Sequence, residues 1–240
     1  MTRRAVSVVC AIAAIAVIAA ASPMESATAV TLRSADGVSI SASWSAPPAQ
    51  APAVLLVHSL ARTHADWDEA AQSLNSAGFG VLAVDLRGHG ASAGPFATGS
   101  FQSMGLDVQA ALAWLKGRHD VIGSRIGIAG MNLGATLAVI AAGSDSSVRS
   151  LALLSPAAEF RGLRCEPAMR AFAVRSGAAF LVAGALDPYA SRSARQLGET
   201  APGLREVRLI EASAANGRAL FSAAPDLVGA LVDWFRKTLL

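Results

Sequence analysis

The stretch Asp85-Leu86-Arg87-Gly88-His89-Gly90-Ala91-Ser92 decides the fold assignment, and it follows directly after the apolar run Val81–Val84. A short continuous apolar run is typical of a strand that is buried on both faces, as in a parallel sheet. In open α/β sheets, functional groups lie just beyond the carboxyl ends of the strands. The abrupt change from apolar residues to charges and glycines therefore predicts a site at the carboxyl edge of a parallel sheet.

The sequence on both sides repeats this alternation of apolar runs and longer segments. Apolar residues recur at helical spacing from Phe101 to Leu115, and again from Leu227 to Phe235 after Pro225. Strands that alternate with helices predict right-handed crossovers and a three-layer α/β/α sandwich. The other five predicted strands of this kind are Ala53–Val57, Ile126–Ala129, Leu151–Leu154, Phe180–Val182 and Val207–Ile210.

A different pattern precedes these runs. Val30–Arg33 and Val38–Trp44 alternate apolar with polar residues, and the turn signal Ala35-Asp36-Gly37 lies between them. This arrangement predicts an antiparallel hairpin at the start of the domain. The hairpin and the six apolar runs belong to a single predicted domain over residues 30–240.

The N-terminal segment Met1–Ala29 has the pattern of a secretory signal peptide. Arg3 and Arg4 lead into an uncharged Ala/Val/Ile run, and small-x-small cleavage sites end at Ala21 and Ala29. The predicted location is therefore periplasmic or extracellular. The alternative is an uncleaved N-terminal anchor, because the run has about the length of a short membrane span. A membrane partner is expected only in that case.

Composition excludes several classes of function. The 240 residues are 53% hydrophobic and 15% charged, which suits a folded domain with a full core. The net charge is only +3 and the basic residues are scattered, so no nucleic-acid partner is expected. No dinucleotide fingerprint, phosphate-binding loop or metal-ligand spacing occurs, and we predict neither a cofactor nor a metal.

The residues after the other strands carry a family resemblance. His58-Ser59-Leu60 follows the first apolar run, Gly130-Met131-Asn132-Leu133-Gly134 the third, Gly184–Pro188 the fifth, and Ala214–Arg218 the last. In this order, and together with Asp85–Ser92, the series resembles the α/β-hydrolase superfamily over nearly all of residues 30–240. The resemblance implies the mostly parallel eight-stranded sheet of that fold.

The resemblance also implies a catalytic triad, and two of its three positions are changed. The family's third strand ends in a Gly-x-Ser-x-Gly nucleophile elbow, and Asn132 occupies the serine position here. Asp187 matches the acid, whereas Asn216 occupies the histidine position. An asparagine side chain is neither a nucleophile nor a base near neutral pH. The backbone N–H groups of Leu60 and Leu133 match the oxyanion hole, which needs no particular side chain.

These substitutions predict an exported pseudo-hydrolase with a ligand-binding or interaction role. Backbone donors, two amides and one carboxylate suit a small carbonyl or carboxylate ligand. The alternative is an active hydrolase of small carboxylic esters or related acyl compounds that uses relocated residues. In that case His58 or His89 is the base, and Ser59 or Ser92 is the nucleophile.

The segment 157–177 lies where the family inserts its lid, and it is short. Arg161 and Arg164 lie in it, and Arg192 and Arg195 follow Asp187. If these side chains converge, the mouth of the site is electropositive and favours anionic ligands. Together with Ser59, Arg161 and Arg164 are therefore candidate ligand-binding residues. The alternative is a solvated surface with an internal Arg–Glu pair.

Overall fold

The computed structural model describes residues 27–95, 101–201 and 203–240, and one eight-stranded sheet runs through them. The strand order is β1-β2-β4-β3-β5-β6-β9-β10. A separate short hairpin, β7–β8, lies outside this sheet. The strands are β1 (Thr28–Arg33), β2 (Ser39–Ser45), β3 (Ala51–Val57), β4 (Gly80–Val84), β5 (Val121–Met131), β6 (Val148–Leu154), β7 (Glu159–Phe160), β8 (Leu163–Arg164), β9 (Ala178–Gly184) and β10 (Arg205–Ile210).

Strand direction in the sheet agrees with the prediction. β1 and β2 form an antiparallel hairpin, and β2 is also antiparallel to β4. All the other neighbours, from β4 through β3, β5, β6 and β9 to β10, are parallel. The predicted mostly parallel eight-stranded sheet with an N-terminal antiparallel hairpin is therefore confirmed.

Helices cover both faces of the sheet, as a strand buried on both faces requires. The side chain of Leu55 in β3 packs in the core beneath α2, α3, α4 and α5, whereas its neighbour Val54 packs beneath α1 and α7. This alternation follows the period of two in a strand. The helices are α1 (Asp68–Ser76), α2 (Phe101–Lys116), α3 (Leu133–Ser144), α4 (Glu166–Val174), α5 (Pro188–Thr200), α6 (Ala219–Ala223) and α7 (Leu227–Leu239), with a 3-10 turn over His64–Trp67 before α1.

The expected lid segment 157–177 contains more structure than the sequence indicated. It holds the β7–β8 hairpin and helix α4, which packs closely on α3. Cys165 is completely buried at the start of α4, and its Sγ donates a hydrogen bond to the carbonyl of Ala157 over 3.2 Å. The segment is thus a packed part of the helical layer.

The predicted signal peptide lies almost entirely outside the described residues, which begin at residue 27. Its last two residues, Thr28 and Ala29, begin β1 and pair with Trp44 and Ser43. Cleavage after Ala29 would remove these two pairs from the hairpin, whereas cleavage after Ala21 would leave β1 whole. Within the described ranges, none of the helices has the length and hydropathy needed to cross a membrane.

Candidate functional site

The loop after β4 is a structural brace, and Arg87 is its centre. The guanidinium contacts the completely buried carboxylate of Asp107 in α2, with Nη2 at 2.8 Å from Oδ1. Its Nη1 reaches Asp36 in the β1–β2 turn at 2.5 Å, and this contact holds the pKa of the Asp36 carboxyl well below its usual range. The loop therefore ties the hairpin to α2.

Asp85 organises the other side of the same loop. Its carboxylate accepts hydrogen bonds from the backbone N–H groups of His64 at 2.8 Å and Ala91 at 3.0 Å. Burial alone would raise the pKa of Asp85, but these hydrogen bonds and the His64 ring hold it below its ordinary value. The Oγ of Ser92 donates to the carbonyl of Asp85 at 2.6 Å and accepts from the N–H of Ser41 at 2.8 Å.

The turn between β5 and α3 has the strained geometry of a nucleophile elbow. Asn132 has φ 50° and ψ −112°, a positive-φ conformation outside the left-handed helical region that is strained for a residue with a side chain. Two residues later, a Cβ on Gly134 would lie 2.2 Å from the carbonyl oxygen of Val57 and 2.6 Å from that of His58. Only glycine lets the first turn of α3 approach the end of β3 this closely. The elbow frame is therefore intact around Asn132.

The side chain of Asn132 lies beside the loop after β3. Its Nδ2 donates a hydrogen bond of 3.0 Å to the Oγ of Ser59. The backbone N–H groups of Leu60 and Leu133 flank this pair in sequence, and neither has a hydrogen-bond partner within the part of the chain that the structure describes. Leu60 lines the cleft described below, whereas Leu133 is completely buried and directly follows the lining residue Asn132.

Asp187 and Asn216 meet at the next strand ends. Asp187 precedes α5, and its Oδ1 accepts from the N–H groups of Tyr189 at 3.1 Å and Ala190 at 2.9 Å. Its Oδ2 accepts a hydrogen bond of 2.5 Å from Nδ2 of Asn216. Asn216 is thus held by the carboxylate of Asp187, and its amide offers no titrating nitrogen near neutral pH.

The loop that carries Asn216 is fixed from below by Ser155. The N–H of Gly217 donates to Ser155 Oγ at 2.9 Å, and the N–H of Ser155 donates to the carbonyl of Val182 at 2.7 Å. Gly217 has φ 55°, and a Cβ there would lie 2.7 Å from Nδ2 of Asn132 and 3.1 Å from Ser59 Oγ. Asn132, Asn216 and the carboxylate of Asp187 therefore lie close together at the carboxyl edge of the sheet.

An open cleft of about 520 Å³ lies over this place. Opposite the asparagines, Arg62 forms a two-pronged ion pair with the buried carboxylate of Asp66, at 2.5 and 2.7 Å. The guanidinium of Arg218 lies 3.8 Å from the same carboxylate and is largely exposed. The lining residues are Ser59, Leu60, Arg62, Asp66, Asn132, Asn216, Gly217, Arg218, Ala219 and Ser222.

None of the described residues that line this cleft is a histidine. In His58, Nε2 accepts from the N–H of Leu86 at 3.0 Å, and Nδ1 lies 2.6 Å from the carbonyl of Ser59. An accepting Nε2 and a donating Nδ1 require the neutral ring, and burial lowers the pKa of His58 to about 4. Both nitrogens are occupied by backbone groups, so His58 has none left for Ser59 Oγ.

His89 is held in the same way. Its Nε2 accepts from the N–H of Ala61 at 3.0 Å, and its Nδ1 lies 2.9 Å from the carbonyl of Arg87. Ser92 Oγ is used by backbone groups of Asp85 and Ser41. The relocated pairs that the sequence left open therefore have no nucleophile–base hydrogen bond in this structure.

The predicted ligand-binding arginines lie elsewhere. Arg161 lies over the rings of Phe101 and Phe160, at 5.3 and 5.9 Å from their centroids, and Arg164 is an exposed residue of β8. Neither lines the cleft. Cys165, next to Arg164 in sequence, does not line the cleft either. Burial raises the pKa of its thiol to about 11.

Sequence reasoning missed four residues of the site. Arg62, Asp66 and Arg218 line the cleft, and Ser155 supports its floor. Arg218 directly follows Asn216-Gly217, and Ser155 directly follows the β6 run, so their positions after predicted strands were the available signal. Arg62 and Asp66 lie in the loop and turn between β3 and α1, where no strand end marks them.

Comparison with known proteins identifies the family and agrees with the fold. The sequence profile of a family described as serine aminopeptidase, S33, matches residues 48–206. No curated protein matches the chain. An esterase from Pyrococcus furiosus has a similar structure, with a TM-score of 0.74 at 18% identity over 89% of this chain and 92% of that one. A dienelactone hydrolase from Anabaena variabilis gives a TM-score of 0.75 at 16% identity, over 91% and 100% of the two chains. An esterase from Exiguobacterium antarcticum gives 0.67 at 14% identity, over 87% and 100%.

Proposed function

Because the chain belongs to the serine aminopeptidase S33 family of the α/β-hydrolase superfamily, we propose that it is an exported pseudo-hydrolase. In this proposal the protein binds a small ligand with a carbonyl or carboxylate group in the degenerate catalytic site, without cleaving it. Export rests on the signal-peptide pattern of Met1–Ala29.

One observation carries the proposal. Asn132 occupies the strained elbow, and Asn216 is bonded to Asp187 at 2.5 Å. Two amides thus stand where the family has its nucleophile and its base. A carboxamide has no hydroxyl to attack an acyl carbon, and it takes up no proton near neutral pH. Loss of a nucleophile or a base typically reduces turnover by about 10⁴- to 10⁶-fold, and the losses do not add.

The binding half of the machinery remains. The N–H groups of Leu60 and Leu133 are unpartnered within the described residues. Leu60 lines the open cleft, and Leu133 directly follows the lining residue Asn132. Backbone donors of this kind bind a carbonyl or carboxylate oxygen whether or not a reaction follows. A site that keeps its donors and lacks its nucleophile supports binding better than catalysis.

Active hydrolysis of small carboxylic esters is the competing function. Ser59 is its best nucleophile, because its hydroxyl lines the cleft next to Asn132. Against it, both ring nitrogens of the adjacent His58 are bonded to backbone groups, so Ser59 has no base to activate it.

A short-chain p-nitrophenyl ester assay, run beside labelling with a fluorophosphonate, tests the proposal. Wild type, Ser59→Ala and the control Ser222→Ala are compared, since Ser222 lines the same cleft from α6. We expect no labelling and no turnover above the buffer rate in any of them. Turnover and labelling that vanish in Ser59→Ala and persist in Ser222→Ala would replace the proposal with the ester hydrolase.

A further inference from the structure

We infer that the cleft selects a neutral carboxamide group, R–CO–NH₂ or R–CO–NH–R′, over a carboxylate. The inference rests on the proposed binding function and sharpens its ligand class. It follows from the directions in which the cleft presents donors and acceptors, and from the balance of charges around them.

Asn216 presents an acceptor because its donor side is fixed. The carboxylate of Asp187 receives two N–H groups at Oδ1, and only a donor can approach its Oδ2. The amide nitrogen of Asn216 must therefore face Asp187, as observed at 2.5 Å. The carbonyl oxygen of Asn216 is left for a ligand in the cleft that this residue lines.

The side chain of Asn132 points its amide nitrogen toward the loop after β3. Its Nδ2 donates to Ser59 Oγ at 3.0 Å, close to the backbone of Gly217. Its Oδ1 accepts no hydrogen bond from the residues that the structure describes. The two asparagines thus place two uncharged acceptors along one side of the cleft.

One backbone donor, the N–H of Leu60, belongs to a residue that lines the cleft, and a second, that of the buried Leu133, directly follows the lining residue Asn132. The N–H groups of Leu60 and Leu133 require an oxygen acceptor, and the asparagine oxygens require an N–H or O–H donor. A carboxamide supplies both, through its carbonyl oxygen and its N–H. An ionised carboxylate supplies acceptors only, so its second oxygen would face the asparagine oxygens without a proton between them.

The charges around the cleft cancel. Arg62 is bonded through two atoms to Asp66, so its charge is already compensated. Arg218 is largely exposed and lies 3.8 Å from Asp66, and Asp187, which is bonded to the lining residue Asn216, supplies a second anion behind the cleft. Two cations and two anions give no net attraction for a carboxylate, which would lose its hydration on entering.

Ligand-observed NMR titration of the purified protein tests this with three probes of one shape. Benzamide is neutral and both donates and accepts, acetophenone is neutral and only accepts, and benzoate is an anion that only accepts. We expect benzamide to bind about tenfold more tightly than acetophenone or benzoate, since one unpaired polar group costs about that factor.

Variants assign the preference to the two amides. Asn216→Leu removes one acceptor, and Asn132→Gly removes the other while keeping the positive φ. Each change should weaken benzamide binding about threefold and leave acetophenone binding unchanged, and the double variant should not distinguish the two probes. Gln72→Leu, at an exposed amide of α1 outside the cleft, should behave as wild type.

Three results would overturn the inference. Benzoate binding more tightly than benzamide would do so and leave a ligand-binding pseudo-hydrolase standing. A preference for benzamide that persists in the double variant would show that the two asparagines are not its cause. Absence of binding by all three probes would remove the ligand class, whereas the ester assay above decides separately whether the protein is an active hydrolase.

Discussion

Replacement of Asp187 by alanine should destabilise the fold, because its carboxylate holds a helix and a loop through three hydrogen bonds. Its Oδ1 caps α5 by accepting from the N–H groups of Tyr189 and Ala190, and its Oδ2 accepts from Asn216. In an active hydrolase the acid serves the base. Here, we expect the carboxylate of Asp187 to stabilise helix α5 and the loop that carries Asn216.

The magnitude follows from these three hydrogen bonds. Loss of an N-cap side chain costs about 0.5–2 kcal/mol. Loss of the bond to Asn216, at an exposed position, adds about 0.5–1 kcal/mol. The free energy of unfolding should therefore fall by about 2 kcal/mol in Asp187→Ala, which lowers Tm by about 4–8 °C in a chain of this size.

Urea denaturation of a set of variants measures both parts. Asp187→Asn keeps the cap oxygen but turns a donor toward Asn216, so about half of the loss should remain. Asn216→Ala should lose only the second part, and Asp187→Ala/Asn216→Ala should equal Asp187→Ala within error, because the two residues share one bond. Asp226→Ala, which removes a surface ion pair with Arg208 before α7, is the matched control and should cost at most about 1 kcal/mol. A loss in Asp187→Ala no larger than in this control would refute the reasoning.

Three further predictions concern the brace and the buried groups. Arg87→Met should lower the free energy of unfolding by about 3–5 kcal/mol, because it leaves the buried carboxylate of Asp107 without its cation. Recovery of stability in Arg87→Met/Asp107→Leu checks this cause, and a loss below about 1 kcal/mol in Arg87→Met contradicts it. Burial lowers the pKa of His58 to about 4, whereas the unfolded value stays near 6.5, so the free energy of unfolding should fall by up to about 3 kcal/mol between pH 6.5 and 4. Denaturation curves of His58→Gln should lack this pH dependence. An unchanged pH dependence in the variant would assign it to other groups. Cys165, buried and with its pKa raised to about 11, should react with a thiol reagent at pH 8 only on unfolding, and rapid labelling of the native protein would show that α4 opens.

The sheet was predictable because its signals are local. Each apolar run is three to five residues long and is followed within two residues by glycine or a polar residue, as is typical of strands buried on both faces. The runs of Ala53–Val57 and Val81–Val84 fall within β3 and β4 as found. The hairpin was equally clear, since alternation and the Asp36-Gly37 turn act over a few residues.

The lid and one wall of the cleft were not predictable in the same way. Helix α4 and the β7–β8 hairpin depend on packing against α3, which a sequence pattern does not show. Arg161 was expected near a ligand from its charge alone, whereas two phenylalanine rings hold it elsewhere. Charge on a long side chain says little about where its end lies.

The residues that the motifs assigned to the triad were only partly predictable. Asn132, Asp187 and Asn216 were located by motif, and the structure brings them to one strand edge. What the motif did not show is that both asparagines are already bonded, one to Ser59 and one to Asp187. The carboxylate of Asp187, which only accepts, fixes the direction of the Asn216 amide, and the Asn132 amide donates to the hydroxyl of Ser59 in this structure. These directions are the basis for the ligand class inferred above.

The central claim is that only the residues at 132 and 216 separate this chain from a working hydrolase site. The direct measurement is kcat/KM for p-nitrophenyl butyrate in Asn132→Ser/Asn216→His, beside wild type and each single variant. Removal of a triad member typically costs about 10⁴-fold or more, so even partial restoration should raise kcat/KM by at least about 100-fold in the double variant alone. Robust hydrolysis by wild type, or a double variant no faster than the single variants, would contradict the account.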